Sequence, residues 1–274
     1  MKRPGWRRAV LSVLMIALAL LIGSPLYYVL VNTFKSLGEM TLSPLALPSH
    51  WSLDNYAKAL ADGSMARSFA NTFYVTAIAV VLQLLIGSMA SYAMIMRSSR
   101  LNRALANLFL VGFVIPTQST LIPLYLTMVN LRVVDTLNGL ILMYMGGSVF
   151  SYFLIQGYMR TLPFDIIEAA RVDGAGSFQT FWHIVLPLIK PILITVGVFQ
   201  GMFVWNDFLV PNVMVSSKEN RTVVLQVYAA VGQFTTDWPL FMTITVIALV
   251  PMVVFFVLMQ KRIVSGLLAG SIKG

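Results

Sequence analysis

The sequence contains no cysteine and only two histidines, His50 and His183, far apart along the chain. The first absence excludes disulfides, thiolate metal sites and a cysteine nucleophile, and leaves the compartment open. The second argues against a histidine-based metal site. Charge is also scarce: charged residues make up 11% of the 274 positions, against 58% hydrophobic residues. A soluble domain is about a quarter charged. Mean hydropathy is +0.82, so there is too little polar surface to cover a water-soluble globule of this size. Soluble enzymes, disordered chains and nucleic-acid-binding domains are excluded as first readings, and an integral membrane protein is expected. The net charge of +9 then fits basic residues gathered on the cytoplasmic side of a bilayer, with no nucleic-acid partner. A Gly-x-x-x-x-Gly-Lys phosphate loop is missing too, since no lysine follows a glycine. ATP is therefore not held in that way, and no cofactor is expected on this chain.

What the sequence does have is long uncharged runs. A bilayer core takes about 20 helical residues to cross. Residues 9–34, 68–96, 104–131, 136–159 and 238–260 meet that length, and 191–215 is interrupted only by Asp207. None shows the strict alternation of barrel strands, so an all-α, polytopic protein with six transmembrane helices in one domain is expected. The first run exceeds the ~7–15-residue apolar stretch of a signal peptide and no A-x-A-like site follows, so it is read as a span. Pro116, Pro123 and Pro251 fall inside runs and are expected to kink them. The segments on the side of the N-terminus hold 13 of the 19 basic residues and the other side holds 6. By the positive-inside rule both termini are cytoplasmic.

Two polar segments interrupt this pattern. Residues 35–67 lie on the outer side, with a short helix expected over 53–60 and Asp54 near its start. Residues 160–190 lie in the cytoplasm. In the second, Pro163, Asp165 and Glu168 suit the first turn of a helix. Ile166, Ile167 and Ala170 are spaced for one apolar face. Gly174 is placed to end the helix with a left-handed backbone. Ser177 is placed to cap a second helix, in which Phe178, Phe181, Trp182 and Val185 fall at i, i+3, i+4 and i+7. Two short amphipathic helices joined at a glycine corner would either lie on the membrane surface or dock a partner protein.

Within that loop stand Glu168, Ala169, Ala170, then Gly174, then Ile184, Leu186 and Pro187, with Asp173 before the glycine. This pattern resembles the EAA motif of ABC importer permeases, matching each of its fixed positions. Asn55-Tyr56 in the outer segment, Trp205-Asn206-Asp207-Phe208 in the fifth run and the GLLAGSIKG ending at 266–274 are similar to the carbohydrate (maltose-type) branch. The resemblance covers nearly the whole chain. It implies a non-catalytic permease subunit of a binding-protein-dependent sugar importer in a bacterial or archaeal cell membrane. A second permease, two copies of a P-loop ATPase holding ATP and Mg, and an extracytoplasmic sugar-binding protein would be its partners. It further implies that the two-helix loop couples closure of the ATPases to alternating access. In that role Glu168 would meet a basic group on the ATPase or steady the loop, Ala169 and Ala170 would allow close approach, and Gly174 would make the bend. Phe178, Phe181 and Trp182 would anchor the dock, or pack the loop against its own spans. The 261–274 tail could reach the ATPase as well.

For a solute path the polar and aromatic residues of the spans are the candidates. Gln200, Phe203 and Asp207 are spaced to share a helical face, beside Asn206. Tyr144, Tyr152 and Gln156 come from the fourth run and Gln118 from the third. Aromatic rings beside hydrogen-bonding groups suit sugars, whose rings have apolar faces and polar edges. Two alternatives stay open. One is an ABC permease for a non-sugar solute, since the EAA loop is shared across branches. The other is an ion-coupled secondary transporter, for which Asp207 is the nearest thing to a membrane carboxylate.

Overall fold

The computed structural model describes residues 5–96, 99–163, 165–231 and 236–271. Lys2, Arg3, Arg97, Phe164 and Lys273 lie outside them. Among the described residues all regular structure is helical. In chain order the α-helices are α1 (Gly5–Asn32), α2 (Leu37–Leu42), α3 (Asp54–Leu60), α4 (Ser64–Met96), α5 (Arg100–Val114), α6 (Thr117–Asn130) and α7 (Leu137–Tyr144). They continue with α8 (Ser148–Met159), α9 (Asp165–Val172), α10 (Ser177–Thr180), α11 (Leu186–Leu188), α12 (Lys190–Asn206), α13 (Leu209–Met214), α14 (Val223–Ala229) and α15 (Trp238–Ser271). A π-helical turn, Phe181–Val185, joins α10 to α11.

Four stretches are long and apolar enough to cross a membrane: Val10–Asn32, Ser64–Met96, Leu137–Met159 and Trp238–Gln260. Two bent pairs raise the number to as many as six. Two expectations are corrected. Residues 104–131 are not one helix with a kink, because α5 and α6 meet at 106°. Pro116 has no N–H to donate and disfavours helical backbone in the residue before it. Ile115 is accordingly extended, at φ −73° and ψ 123°. Residues 191–215 are not one helix either. α12 ends at Asn206, and Asp207 turns extended at ψ 129°. Its carboxylate then accepts the N–H of Leu209 at 2.9 Å, starting α13. Pro123 and Pro251 sit inside α6 and α15 without ending them.

The chain forms two compact units. One contains residues up to Ala66 together with Gln226–Val250. Its polar segment after α1 folds back onto the end of that helix. Lys35 is buried, and its ammonium donates to the carbonyls of Ser43 at 2.8 Å and Ala46 at 2.6 Å. Asn55 donates to the carbonyls of Thr33 and Lys35, both at 2.9 Å. The Tyr56 hydroxyl lies 2.9 Å from that of Thr33. The Asn55-Tyr56 pair thus ties α3 to the turn that follows α1.

The other unit contains Arg67–Leu225 and residues from Pro251 onward. It has two apolar cores. One gathers Val75, Leu140, Tyr144, Val204 and Met214. The second joins Tyr92 near the end of α4 and Met159 of α8 to Ile167, Phe181 and Val185, which belong to the loop after α8. Between α6 and α7 the carboxylate of Asp135 accepts the N–H of Ser216 and Ser217, both at 3.0 Å, and the Ser217 hydroxyl at 2.9 Å. Burial pushes this carboxyl up, but those donors outweigh it and hold it below the usual carboxylate range.

Candidate functional site

The loop after α8 is built around one glycine. Helix α9 ends in a Schellman closure. The Ala175 N–H donates to the Ala170 carbonyl at 2.9 Å and the Gly174 N–H to the Arg171 carbonyl at 3.1 Å. Gly174 sits between them at φ +83°, a backbone that costs other residues about 1–2 kcal/mol. The second helix begins differently from the sequence expectation. Gly176 holds the cap position without a side-chain bond, and Ser177 is already helical. Pro163 also precedes the described helix, which starts at Asp165.

The apolar faces divide. Ile167 and Ala170 are buried, whereas Ile166 is exposed, so the expected triplet is a pair one turn apart. In the second helix Phe181 and Val185 are buried, but Phe178 is 70% and Trp182 36% exposed. The four therefore do not form one face, and the turn Phe181–Val185 is π-helical where α-helical spacing was expected. Phe181 therefore belongs to the loop's own core with Tyr92, their ring centroids 5.5 Å apart. Trp182 bridges outward, with edge contacts to Phe181 at 5.4 Å and Phe178 at 5.9 Å. Glu168, Ala169, Asp173 and Pro187 are exposed, and Ile184 and Leu186 half-buried. The result is a corner whose inner face is fixed to the spans and whose outer face presents Glu168, Val172, Phe178 and Trp182.

A second constellation lies inside the spans. The break between α7 and α8 at Met145–Gly147 is 3-10 helical. Gln83 of α4 donates to the Tyr144 carbonyl at 2.5 Å, and Gln200 of α12 donates to the Gly147 carbonyl at 2.7 Å. Two amide side chains thus donate to carbonyls at the break, which hydrocarbon cannot do. Gly147 is required by this approach, since a Cβ there would stand 2.7 Å from Gln83 Nε2 and 2.8 Å from Gln200 Nε2. The Oε1 of Gln83 and the hydroxyl of Ser148 are buried without partners.

The solute-path candidates are placed as follows. Tyr144 donates to Asp207 at 2.8 Å, and Gln156 donates to the Tyr152 hydroxyl at 2.6 Å. Gln200 is buried while Phe203 is 60% exposed, so Gln200, Phe203 and Asp207 do not share a face. The end of α12 at Asn206 removes Asp207 from the helical phase. Gln118, Phe203 and Asn206 are exposed and stand apart from these pairs. Sequence reasoning missed Gln83. Its signal was present, as a lone amide within the apolar run VVLQLLIG, because an unpaired amide in a span is costly. Among the described residues no group of His, Asp and Glu is arranged to hold a metal ion.

Comparison with known proteins places these features. Residues 83–268 match the family described as binding-protein-dependent transport system inner membrane component. A probable starch degradation products transport system permease protein of Thermoanaerobacterium thermosulfurigenes is 34% identical over 274 residues, covering 100% of both chains. A melibiose/raffinose/stachyose import permease protein of Bacillus subtilis is 32% identical over 255 residues, 91% of each chain. A subunit of a bacterial ABC transporter involved in the import of the acidic polysaccharide alginate has the same fold. The TM-score is 0.85 at 22% identity, covering 95% of this chain and 99% of that one.

Proposed function

The chain belongs to the family of binding-protein-dependent transport system inner membrane components, and from that premise we propose a sugar as its solute and the Arg160–Lys190 loop as its ATPase contact. It is an integral membrane translocation subunit, and ATP hydrolysis resides in a separate subunit. ATP and Mg would be held there, with two ATPase copies, a second permease and an extracytoplasmic binding protein completing the importer. Both termini and the loop are assigned to the cytoplasm on the 13 to 6 division of basic residues. Carbohydrate as cargo is supported by the relatives matched over nearly their whole length, which carry starch degradation products or melibiose, raffinose and stachyose.

One observation carries the coupling role. The loop is a closed corner with a buried inner face and an exposed outer one, so a push on Phe178 or Glu168 is transmitted to α4, α8 and α12 rather than absorbed. Phe181, Val185 and Ile189 continue the buried face directly into α12. Tyr144, Tyr152 and Gln200 are committed to bonds within the chain and position the spans, while the exposed Gln118 and Phe203 are available to meet solute or the second permease, and Asn206, also exposed, donates to the Met202 carbonyl of its own helix at 2.8 Å. Purification from native membranes in mild detergent tests the assignment. Co-purification of a P-loop ATPase and a second permease, with ATP-dependent uptake of an oligosaccharide in reconstituted vesicles, is expected. Ion-gradient-driven uptake by the chain alone, insensitive to ATP depletion, would overturn it.

A further inference from the structure

In the irregular segment after α2, four consecutive carbonyls, Ser43 to Ala46, are each taken by a side chain from α1 or the turn that follows it. Lys35 donates to the carbonyls of Ser43 and Ala46, Asn32 to that of Pro44 at 2.9 Å, and Tyr27 to that of Leu45 at 2.9 Å. Pro44 and Pro48 carry no N–H. The N–H groups of Leu45, Ala46 and Leu47 donate to nothing among the described residues. The backbone here has its acceptors closed and its donors open. Its leucines point away from the chain, with Leu42 88%, Leu45 67% and Leu47 63% exposed.

Tyr27 fixes the level at which this happens. It stands five residues before the end of α1, about 7.5 Å along the axis, and side chains on a helix lean toward its N-terminus. Leu45 is therefore held below the end of Val10–Asn32, a membrane-crossing stretch whose most apolar part has no residue buried within the chain. At the same level the span exposes Leu26 and Leu30. Above it the exposed Trp51 packs on Phe34, ring centroids 5.0 Å apart, as aromatic side chains do at the edge of a bilayer.

We propose that residues 42–47 form a membrane wedge. It sits at the boundary of head groups and acyl chains in the leaflet where α1 ends. Leu42, Leu45 and Leu47 lie among the acyl chains, and the open N–H groups meet the ester and phosphate oxygens of phospholipids. Water would satisfy the four carbonyls unaided, and it penalises three exposed leucines in a row of six residues. A protein partner brings donors as well as acceptors, so the carbonyls would not have to be closed beforehand. The ester region of a bilayer offers acceptors alone. Irregular backbone enters it at low cost only with its carbonyls already bonded inside the chain. The wedge would hold the end of α1 at a fixed height in the bilayer.

Spin-label accessibility tests this on the complex with which the chain purifies, reconstituted in vesicles of phosphatidylethanolamine and phosphatidylglycerol. The chain has no cysteine, so Leu45→Cys, Leu47→Cys and Lys58→Cys each give one label. Leu45, Leu47 and Lys58 are all exposed, and Lys58 on α3 is the water-facing control. Oxygen concentrates in the acyl chains and a neutral nickel chelate in water. The ratio of relaxation by oxygen to relaxation by chelate is expected to be higher at positions 45 and 47 than at 58. Where Leu45→Cys does not assemble, Leu47→Cys decides. A ratio at 45 and 47 equal to that at 58 would show a water-facing loop and overturn the proposal. Labels at 45 and 47 that neither reagent reaches would place a protein subunit over the leucines and overturn it as well. The readout is depth and not transport, so it stands apart from the proposed solute and ATPase contact.

Discussion

The hydroxyl of Tyr144 donates to the carboxylate of Asp207 at 2.8 Å, joining the end of α7 to the break between α12 and α13. The other oxygen of Asp207 holds the N–H of Leu209. One carboxylate thus ties two interrupted helices together, and this accounts for a charge placed at the end of an apolar run. Hydrogen bonds to charged groups contribute ~1.5–3 kcal/mol. Tyr144→Phe is expected to lower stability by about that much, read as a lower midpoint in denaturant unfolding of the reconstituted protein. Asp207→Asn keeps an acceptor and is expected to preserve assembly. An unchanged midpoint in Tyr144→Phe would remove the bond from this account.

At Gly174 the backbone, and not the available space, sets the constraint, since a Cβ there meets nothing within 4 Å. Asparagine tolerates positive φ better than branched residues do. Gly174→Asn is therefore expected to retain most ATP-driven uptake, and Gly174→Val to lose most of it while still reaching the membrane. Gly174→Asp compared with Gly174→Asn isolates the added charge at the dock. Equal uptake by the valine and asparagine variants would show that the corner does not depend on its glycine.

Phe181 and Phe178 are three residues apart and differ in what they support. Phe181 is 3% exposed and packed in the loop core, so Phe181→Ala is expected to cost ~3–5 kcal/mol and lower the amount of folded protein. Phe178 is exposed, so Phe178→Ala is expected to leave folding unchanged and weaken recovery of the ATPase in the pull-down. The reverse pattern would exchange the two roles.

Gly147 admits no side chain between the amides of Gln83 and Gln200. Gly147→Ala is expected to destabilise by ~1–3 kcal/mol, the usual range for overpacking. Gly157→Ala, with nothing within 4 Å of the new Cβ, serves as the control and is expected to be neutral or slightly stabilising. Trimming Gln200 to alanine in the Gly147→Ala background should recover part of the loss.

Asp135 makes the loop at 216–220 sensitive to acid. Its carboxyl is held below the ordinary range by the Ser217 and Ser216 donors, against the upward push of burial. A carboxylate lowered in the folded state adds stability above its unfolded pKa of about 4. That contribution is lost as pH falls through the lower, folded value. The chain has no cysteine, so a spin label at Lys218→Cys is unique. Its mobility is expected to stay low from neutral pH down to about 4 and to rise below it. Asp135→Asn is expected to raise mobility at all pH values. A label equally mobile at neutral pH with and without Asp135 would discard this anchor.

Legibility differed from element to element. The Gly174 corner was readable because a glycine after an amphipathic turn is a local signal, and it sits at φ +83° as that signal requires. The break before Pro116 was readable in kind but not in size, since proline fixes its own φ while neighbouring contacts set the 106° between α5 and α6. The end of α12 at Asn206 was not readable. The apolar run continues past Asp207, and only the bonds to Tyr144 and Leu209 show why the helix stops there. Phe178 and Phe181 looked equivalent because both fit one helical stripe, and only the packing of Phe181 on Tyr92, far away in sequence, tells the buried ring from the exposed one.

By itself the sequence determined that the chain is helical and apolar enough for a membrane, and that a glycine-cornered motif lies between the fourth and fifth runs. These follow from composition and spacing, which act over a turn or two of chain. Tertiary structure alone decided which face of that loop is buried, which polar side chains inside the spans are spent on broken helices, and which are left exposed. Those outcomes depend on partners far along the chain, such as Gln83 with the Tyr144 carbonyl and Gln200 with that of Gly147. In an apolar interior a buried amide must find whichever unpaired carbonyl the fold brings to it.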